Sequence, residues 1–232
     1  MTDVVLTVAG SARLRRTAER AHLVAVAAVD GPERDEVVAR ATELSARLQE
    51  ALRGVHDAEA GPVRSWSAQG MQVGSHRPWD QNGQQLPLVH TASLEVRAEF
   101  DDPEALARFA DEFSAVDGVQ IAGISWRLTE ATERETLRAA RGEAVRDALE
   151  RAADFAAALG LGAPEPVSLA DPGLLDAGRP DGGAPAPKME MMAQRSASFD
   201  SGPGLQFTPG EIEVAAGVEA RFSARGSSRP SR

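Results

Sequence analysis

Cysteine is absent from the 232 residues of this chain. Its absence excludes thiol nucleophiles, disulfides, thiolate metal ligands and CxxC redox motifs. Lysine is nearly absent as well, because Lys188 is the only one and arginine supplies the other permanently cationic side chains. No run of 18 apolar residues occurs, and a membrane-spanning helix needs about that length. The sequence therefore predicts no transmembrane helix.

The net charge of −10 makes polyanionic partners unfavourable. Nucleic acids and anionic membranes need a concentrated basic surface, which this acidic composition disfavours. A group of arginines lies near the N-terminus, diluted by Glu19 and by an apolar strand: Arg13, Arg15, Arg16 and Arg20. The first ten residues also lack the basic and apolar segments of a secretory signal. We therefore expect a cytoplasmic protein without nucleic-acid or membrane partners.

Motifs that carry chemistry are also missing. The sequence contains no Walker-type loop, no GxGxxG and no GxSxG, so nucleotide binding and serine-hydrolase chemistry have no support. The histidines are too far apart for an i, i+4 zinc pair: His22, His56, His76 and His90. The carboxylates fall on solvated helix faces rather than in pairs. We expect no catalytic, cofactor-binding or metal-binding residues, and we interpret the chain as a non-enzyme.

A few side chains have two readings. Strand alternation places His90 on an apolar face, which favours a satisfied core or interface histidine over a ligand-binding one. Trp66 and Trp126 fall within predicted strands and are typical of buried packing. Trp79 lies at a polar hairpin tip, where an aromatic ring either contacts a partner or packs on its own loop. The methionines at 189–192 either dock onto the protein body or bind Cu(I) and absorb oxidants.

Hydrophobic periodicity predicts strands and helices along the whole chain. Two strands come first, and an amphipathic helix after Pro32 buries a stripe that ends at Val55. A hairpin follows, with Asn82-Gly83 as its turn and a second strand that alternates strictly from Leu86 to Phe100. The predicted elements of this part are strands at 4–10, 23–29 and 64–73, the helix at 32–55 and the strand at 86–100.

The second half of the chain continues the alternation of strands and helices. The succession of a strand, a short helix capped by Asp101 and Asp102, a strand and a long Ala-rich helix is typical of an α+β plait, a sheet with helices on one face. A capping box at Thr132–Glu135 opens the long helix, whose predicted buried face includes Leu149, Phe155 and Leu159. The short helix is predicted to bury a stripe of Leu106, Phe109, Ala110 and Phe113, and the last strand to point Val218, Ala220 and Phe222 inward. Further elements are a helix at 103–116, strands at 119–128 and 209–222, a helix at 132–160, a flexible Pro/Gly-rich loop at 171–203 and a disordered tail at 225–232.

The last third of the chain has a distinctive order of elements. An Ala-rich helix leaves through Leu159-Gly-Leu-Gly162, and a variable segment precedes the strand that begins Pro209-Gly-Glu-Ile-Glu-Val214. This order resembles the SIMPL-domain family of bacterial proteins. Leu6–Gly10 is similar to the opening strand of the family, and Pro166–Leu169 to its short strand after the helix. The chain departs from the family where Ala18-Glu19 replaces a common Pro-Asp pair.

The resemblance implies an α+β fold of two plait-like halves within one domain at residues 1–224. The N- and C-terminal parts would form one half and residues from about 86 to 160 the other. It also implies ring assemblies in some members, a link to oxidative-stress defence and an undefined biochemical activity. We therefore expect a self-associating scaffold or a stress-linked interaction module that contacts its own copies or another protein. The alternative is a small-molecule binding protein with a pocket between the halves near His90.

Overall fold

A computed structural model describes residues 3–175 and 207–226. The methionines at 189–192 lie outside the described residues, as does the predicted loop from residue 176 onward. The elements of the described residues are β1 (Asp3–Thr17), β2 (Arg20–Gly31), α1 (Arg34–Val55), β3 (Val63–Ala68), β4 (Gln72–His76), β5 (Val89–Phe100), α2 (Pro103–Ser114), β6 (Val119–Arg127), α3 (Glu130–Ala158), β7 (Glu165–Ala170) and β8 (Glu211–Arg225). The predicted α+β class is confirmed.

The chain divides into two compact units, each with its own sheet. The central unit comprises the described residues 17–128 and 207–210, and the terminal unit comprises 3–16, 129–175 and 211–226. The boundaries differ from the predicted halves. The segment from about 86 to 160 is divided between the two units, because α3 packs on β8 in the terminal unit rather than on β5 and β6.

The central unit is the plait. Its strands lie in the order β3-β5-β2-β6, with β4 also paired to β5, and the pairs that β5 and β6 make are antiparallel. The chain order β2-α1-β3-β5-α2-β6 is therefore that of a split βαβ motif. The elements that complete the plait are β2 and α1. The position of β2 is determined by its pairing with β5 and β6, whose residues are far from it in the sequence.

Helices α1 and α2 supply the apolar layer of this unit. Residues spaced by three or four positions along α1 are fully buried: Ala41, Leu44, Leu48 and Leu52. The first three belong to the predicted stripe, but its predicted end is wrong, because Val55 is 41% exposed and Leu52 is buried instead. The side chain of Asp102 accepts a hydrogen bond from the backbone N–H of Glu104, which confirms one of the two predicted α2 caps. Asp101 instead pairs with Arg20 and Arg64. The rings of Phe109 and Phe113 lie 4.6 Å apart between their centroids.

The hairpin before α2 is shorter than its sequence pattern. Leu86 and Leu88 continue the alternation of β5, but both are exposed and β5 begins only at Val89. Pro87 separates them and has no N–H to give to a ladder, which explains why the strand stops there. The predicted strand at 64–73 is likewise divided into β3 and β4, with Gln69, Gly70 and Met71 between them.

The terminal unit is a three-stranded sheet, β1-β8-β7, with α3 packed on β8. The buried face of α3 uses every fourth residue: Thr136, Ala140, Ala144, Ala148, Ala152 and Ala156. The approach is closest at Gly10 of β1, where a Cβ atom would lie 2.0 Å from the carbonyl oxygen of Ala144. The side-chain oxygen Oδ2 of Asp147 also accepts a hydrogen bond from the N–H of Ser11, at 2.8 Å.

Two predictions about α3 are wrong. Leu149, Phe155 and Leu159 are exposed rather than buried, because the alanine row sits so close to the sheet that larger side chains lie beside it. The helix also begins before the predicted capping box, with Thr129 as its N-cap accepting from the N–H of Thr132. The inward residues predicted near the end of β8 are confirmed, since Val218, Ala220 and Phe222 are buried. The strand continues to Arg225, the first residue of the predicted tail.

Candidate interaction surface

The connection between β4 and β5 ends in an ordered tip. Oδ1 of Asp80 accepts hydrogen bonds from the N–H groups of Asn82, at 2.9 Å, and Gln84, at 2.7 Å. Gly83 has a φ of 75°, which favours glycine and fits the predicted turn at Asn82-Gly83. The N–H of Leu86 donates to the carbonyl oxygen of Pro78 at 2.8 Å. The residues around Trp79 are therefore held by local hydrogen bonds.

Large apolar side chains are exposed on this connection. Trp79 is 66% exposed, and three aliphatic residues on the same hairpin are close to 40% exposed. We call these residues the tip surface: Val73, Trp79, Leu86 and Leu88. Residues 71–88 contain one arginine and one acidic residue, Arg77 and Asp80, in a chain of which 26% is charged. The tip surface is therefore apolar and nearly uncharged, and the prediction that Trp79 contacts a partner stays a prediction.

The other two tryptophans belong to the helix-covered face of the central sheet. Trp126 is buried, as predicted. Trp66 is half-buried, and the guanidinium carbon of Arg53 lies 5.8 Å from its ring centroid. A guanidinium at this distance is attracted to the face of an aromatic ring. The rings of Trp66 and Trp126 therefore have structural partners within the central unit, whereas most of the Trp79 side chain is exposed.

The histidines lie on different elements, and the two on the paired strands β4 and β5, His76 and His90, are on opposite faces of the sheet. His90 is half-buried on β5, beside Gly31 of β2 and Ser75 of β4. His76 is exposed on β4, and His56 is exposed at the end of α1. Within residues 3–175 and 207–226, no three His, Asp or Glu side chains are grouped closely enough to hold a metal ion.

A network of charged side chains lies on the sheet face opposite the helices. Its members are Arg20, His22, Arg64, Glu99 and Asp101. Arg20 lies 3.3 Å from a carboxylate oxygen of Glu99 and 2.8 Å from one of Asp101. Arg64 also pairs with Asp101, and Nε2 of His22 lies 3.6 Å from Glu99. Asp101 is shared by two arginines, and Glu99 lies between Arg20 and the imidazole of His22, so the network is suited to joining β2, β3 and β5.

His22 makes the stability of this network depend on pH. Burial lowers the pKa of His22 from 6.5, Arg127 lowers it further and Glu99 opposes the shift. Because the pKa is lower in the folded state, stability is full above 6.5 and falls as the pH drops through the folded pKa. Urea midpoints measured near pH 7.5 and 5.5 should therefore fall less for His22→Asn than for the unchanged protein. His56→Gln, at an exposed residue outside the network, is the control; equal losses in all three proteins would contradict the prediction.

The predicted arginine group is dispersed among carboxylates. Arg13 lies 3.7 Å from Glu213, and Arg15 lies 3.8 Å from Glu211 and 3.5 Å from Glu213. Arg20 belongs to the network described above. These pairs place acidic groups beside the basic ones, so this part of β1 does not form a concentrated basic surface.

A shallow groove runs beside α1 in the central unit. Its volume is about 290 Å³. The lining residues are Thr42, Ser45, Ala46, Gln49, Glu50, Arg53, Met71 and Leu94. Several of its polar groups already bond to each other, since Gln49 donates to the hydroxyl of Ser45 at 2.8 Å and Arg53 pairs with Glu50. His90 is not among the lining residues, so the groove differs from the predicted pocket.

Comparison with known protein families identifies the family of this chain. Residues 6–222 match the family model SIMPL, described as a protein of unknown function (DUF541). A search of curated proteins finds no match. Among the described residues, no helix combines the length and apolar character needed to cross a membrane. Since the family match covers most of the sequence, the chain belongs to the SIMPL family, whose function is unknown.

Proposed function

We propose that this protein is a non-enzymatic, self-associating interaction module whose copies meet through the hairpin between β4 and β5. The observation that carries the proposal is Trp79, which is 66% exposed on a tip held by its own hydrogen bonds. An exposed tryptophan on an ordered support loses little conformational freedom on binding and offers a large apolar area. The link to oxidative stress is supported by the family resemblance alone.

The charge distribution favours this surface over others. Each copy carries a net charge of −10, so two copies repel each other over much of their surface. The tip surface has few charges and can approach another copy without opposing like charges. Its aliphatic members, Val73, Leu86 and Leu88, extend the apolar area around Trp79. Apolar anchors surrounded by polar groups are the usual arrangement at the centre of a protein interface.

The enzymatic and ligand-binding readings have less support. In the part of the chain that the structure describes, the histidines are dispersed, and the carboxylates of the charged network are engaged by Arg20 and Arg64. The groove beside α1 is open, and Ser45, Gln49 and Arg53 bond within it. A pocket with unengaged, convergent polar groups would favour small-molecule binding. The proposal of an interaction module has a more specific observation behind it, the exposed ring of Trp79 on an ordered tip.

Light scattering after size exclusion tests the proposal. At tens of micromolar, we expect a discrete multiple of the 24.5 kDa chain mass. Trp79→Ala should weaken association about 30-fold, because truncating a central aromatic anchor commonly costs about 2 kcal/mol. Phe155→Ala, at an exposed aromatic of the terminal unit, is the matched control. A monomer at every concentration, or a loss of mass only in Phe155→Ala, would refute the proposed contact.

A further inference from the structure

Strand β4 is an edge strand with no cover on its side chains. It pairs with β5 from Gln72↔Ser93 to His76↔Val89, and all five of its residues are exposed. Among the described residues, β5 is its one strand partner. An edge strand presents unpaired N–H and C=O groups, which are a template for pairing with another strand.

The other edges carry features that oppose such pairing. On β1, Asp147 accepts the N–H of Ser11, and arginines follow at 13 and 15. On β7, Pro166 lacks an N–H to donate. The register of β6 with β2 is broken at the bulge beside Gly123. A bulge interrupts β3 as well, next to Arg64. Charges, proline and bulges are the devices by which proteins protect exposed edges.

None of these devices is present on β4. Residues 72–76 read Gln-Val-Gly-Ser-His, without proline, acidic residues, lysine or arginine. The register of β4 with β5 is regular over its whole length. The strand is therefore open to main-chain hydrogen bonding, and its side chains bring no fixed charge to the contact.

We propose that two copies of this chain pair antiparallel through β4, so that the central sheets of both copies join across a two-fold axis. This inference rests on the proposed self-association and names its contact. A two-fold interface brings a patch against its own copy, so a patch with a net charge would meet the same net charge. An uncharged edge avoids that repulsion, which matters for a chain of net charge −10. Antiparallel pairing is also the arrangement that a two-fold axis through one strand pair generates.

The pairing gives Trp79 a defined neighbour. In two antiparallel β4 strands, the residues that follow β4 in one copy run beside those that precede β4 in the other. Trp79 would then lie beside the connection between β3 and β4 of the second copy, where Gln69 and Gly70 are exposed. The edge supplies main-chain hydrogen bonds, and the ring supplies the apolar contact.

Paired charge variants test the geometry. Val73 and Ser75 lie on the same face of β4, because they pair with Ala92 and His90 of β5 two residues apart. Val73→Glu with Ser75→Glu should raise the dimer Kd more than about tenfold, and so should Val73→Lys with Ser75→Lys, because like charges then face each other. An equimolar mixture of the two variants should regain the dimer mass, since opposite charges then meet.

The control variants place the same charges elsewhere. Val167→Glu with Leu169→Glu alters two exposed apolar residues of β7 and should leave the dimer intact. If the unchanged protein associates and the β4 variants associate equally well, or if mixing does not restore the dimer, the β4 contact is overturned while self-association stands. If the unchanged protein is monomeric, the proposed function fails and the contact fails with it. Capture of a different protein by β4, with no self-association, would also overturn the inference.

Discussion

Gly10→Ala is expected to destabilise the terminal unit by about 1–3 kcal/mol or more, the usual cost of overpacking a close contact. The added Cβ would lie 2.0 Å from the carbonyl oxygen of Ala144 and 2.7 Å from the backbone nitrogen of Ala148. Backbone atoms cannot rotate out of the way as a side chain does. The helix must therefore move off β1 or the strand must bend, and either change separates a tightly packed row.

Urea unfolding monitored by far-UV circular dichroism measures this loss, because α3 is the longest helix that the structure describes. Gly142→Ala is the control, since a Cβ there meets nothing within 4 Å. Alanine within a helix is favoured over glycine by about 0.5–1 kcal/mol, so this variant should be slightly more stable. A midpoint for Gly10→Ala equal to that of the unchanged protein would disprove the close approach of α3 and β1.

Phe100→Ala should cost about 3–5 kcal/mol, the range for truncating a buried aromatic side chain. Phe100 is 1% exposed on β5, and its ring centroid lies 5.7 Å from that of Phe109. The cavity would open between the sheet and α2, where Leu106 and Phe113 are also buried. Because β5 pairs with β2, β3 and β4, the loss would reach most of the central sheet.

Tryptophan fluorescence during urea unfolding checks this prediction, because Trp66, Trp79 and Trp126 all belong to the central unit. Phe155→Ala makes the same substitution at a residue that is 52% exposed. The free energy of unfolding of this variant should stay within about 0.5 kcal/mol of that of the unchanged protein. Equal effects of the two substitutions would mean that Phe100 is not a core residue.

Local patterns predicted most of the individual elements. The stripe of α2 and its cap at Asp102 could be read directly, because helical periodicity and N-capping depend on residues close in sequence. The order of the strands could not be read in this way. That β2 lies between β5 and β6 depends on pairings between residues 59 to 107 positions apart, for example Ala25↔Val96 and Leu23↔Ile124.

The proposed interaction surface was only partly predictable for the same reason. The turn at Asn82-Gly83 indicated that Trp79 lies at a tip, and the structure adds that the ring is exposed. The uncovered edge of β4 follows from strand order, so no pattern within Gln72–His76 could indicate it. The face of α3 was misread because alanine is only weakly apolar, and larger residues such as Leu149 dominated the expected stripe.

The alanine row of α3 does little to determine the position of the helix along its own axis relative to the sheet. Alanines recur at every fourth position from Ala140 to Ala156, so a shift of four residues, about 6 Å, would bring almost the same surface against β8. Contacts outside the alanine row distinguish the correct position. They include the contact of Gly10 with Ala144, the hydrogen bond from the N–H of Ser11 to Asp147, and the hydrogen bond from the N–H of Gly162 after the helix to the carbonyl oxygen of Arg225 on β8. The alignment of the helix on the sheet therefore depends on a few specific contacts with β1 and β8, and hardly at all on the repeated alanines.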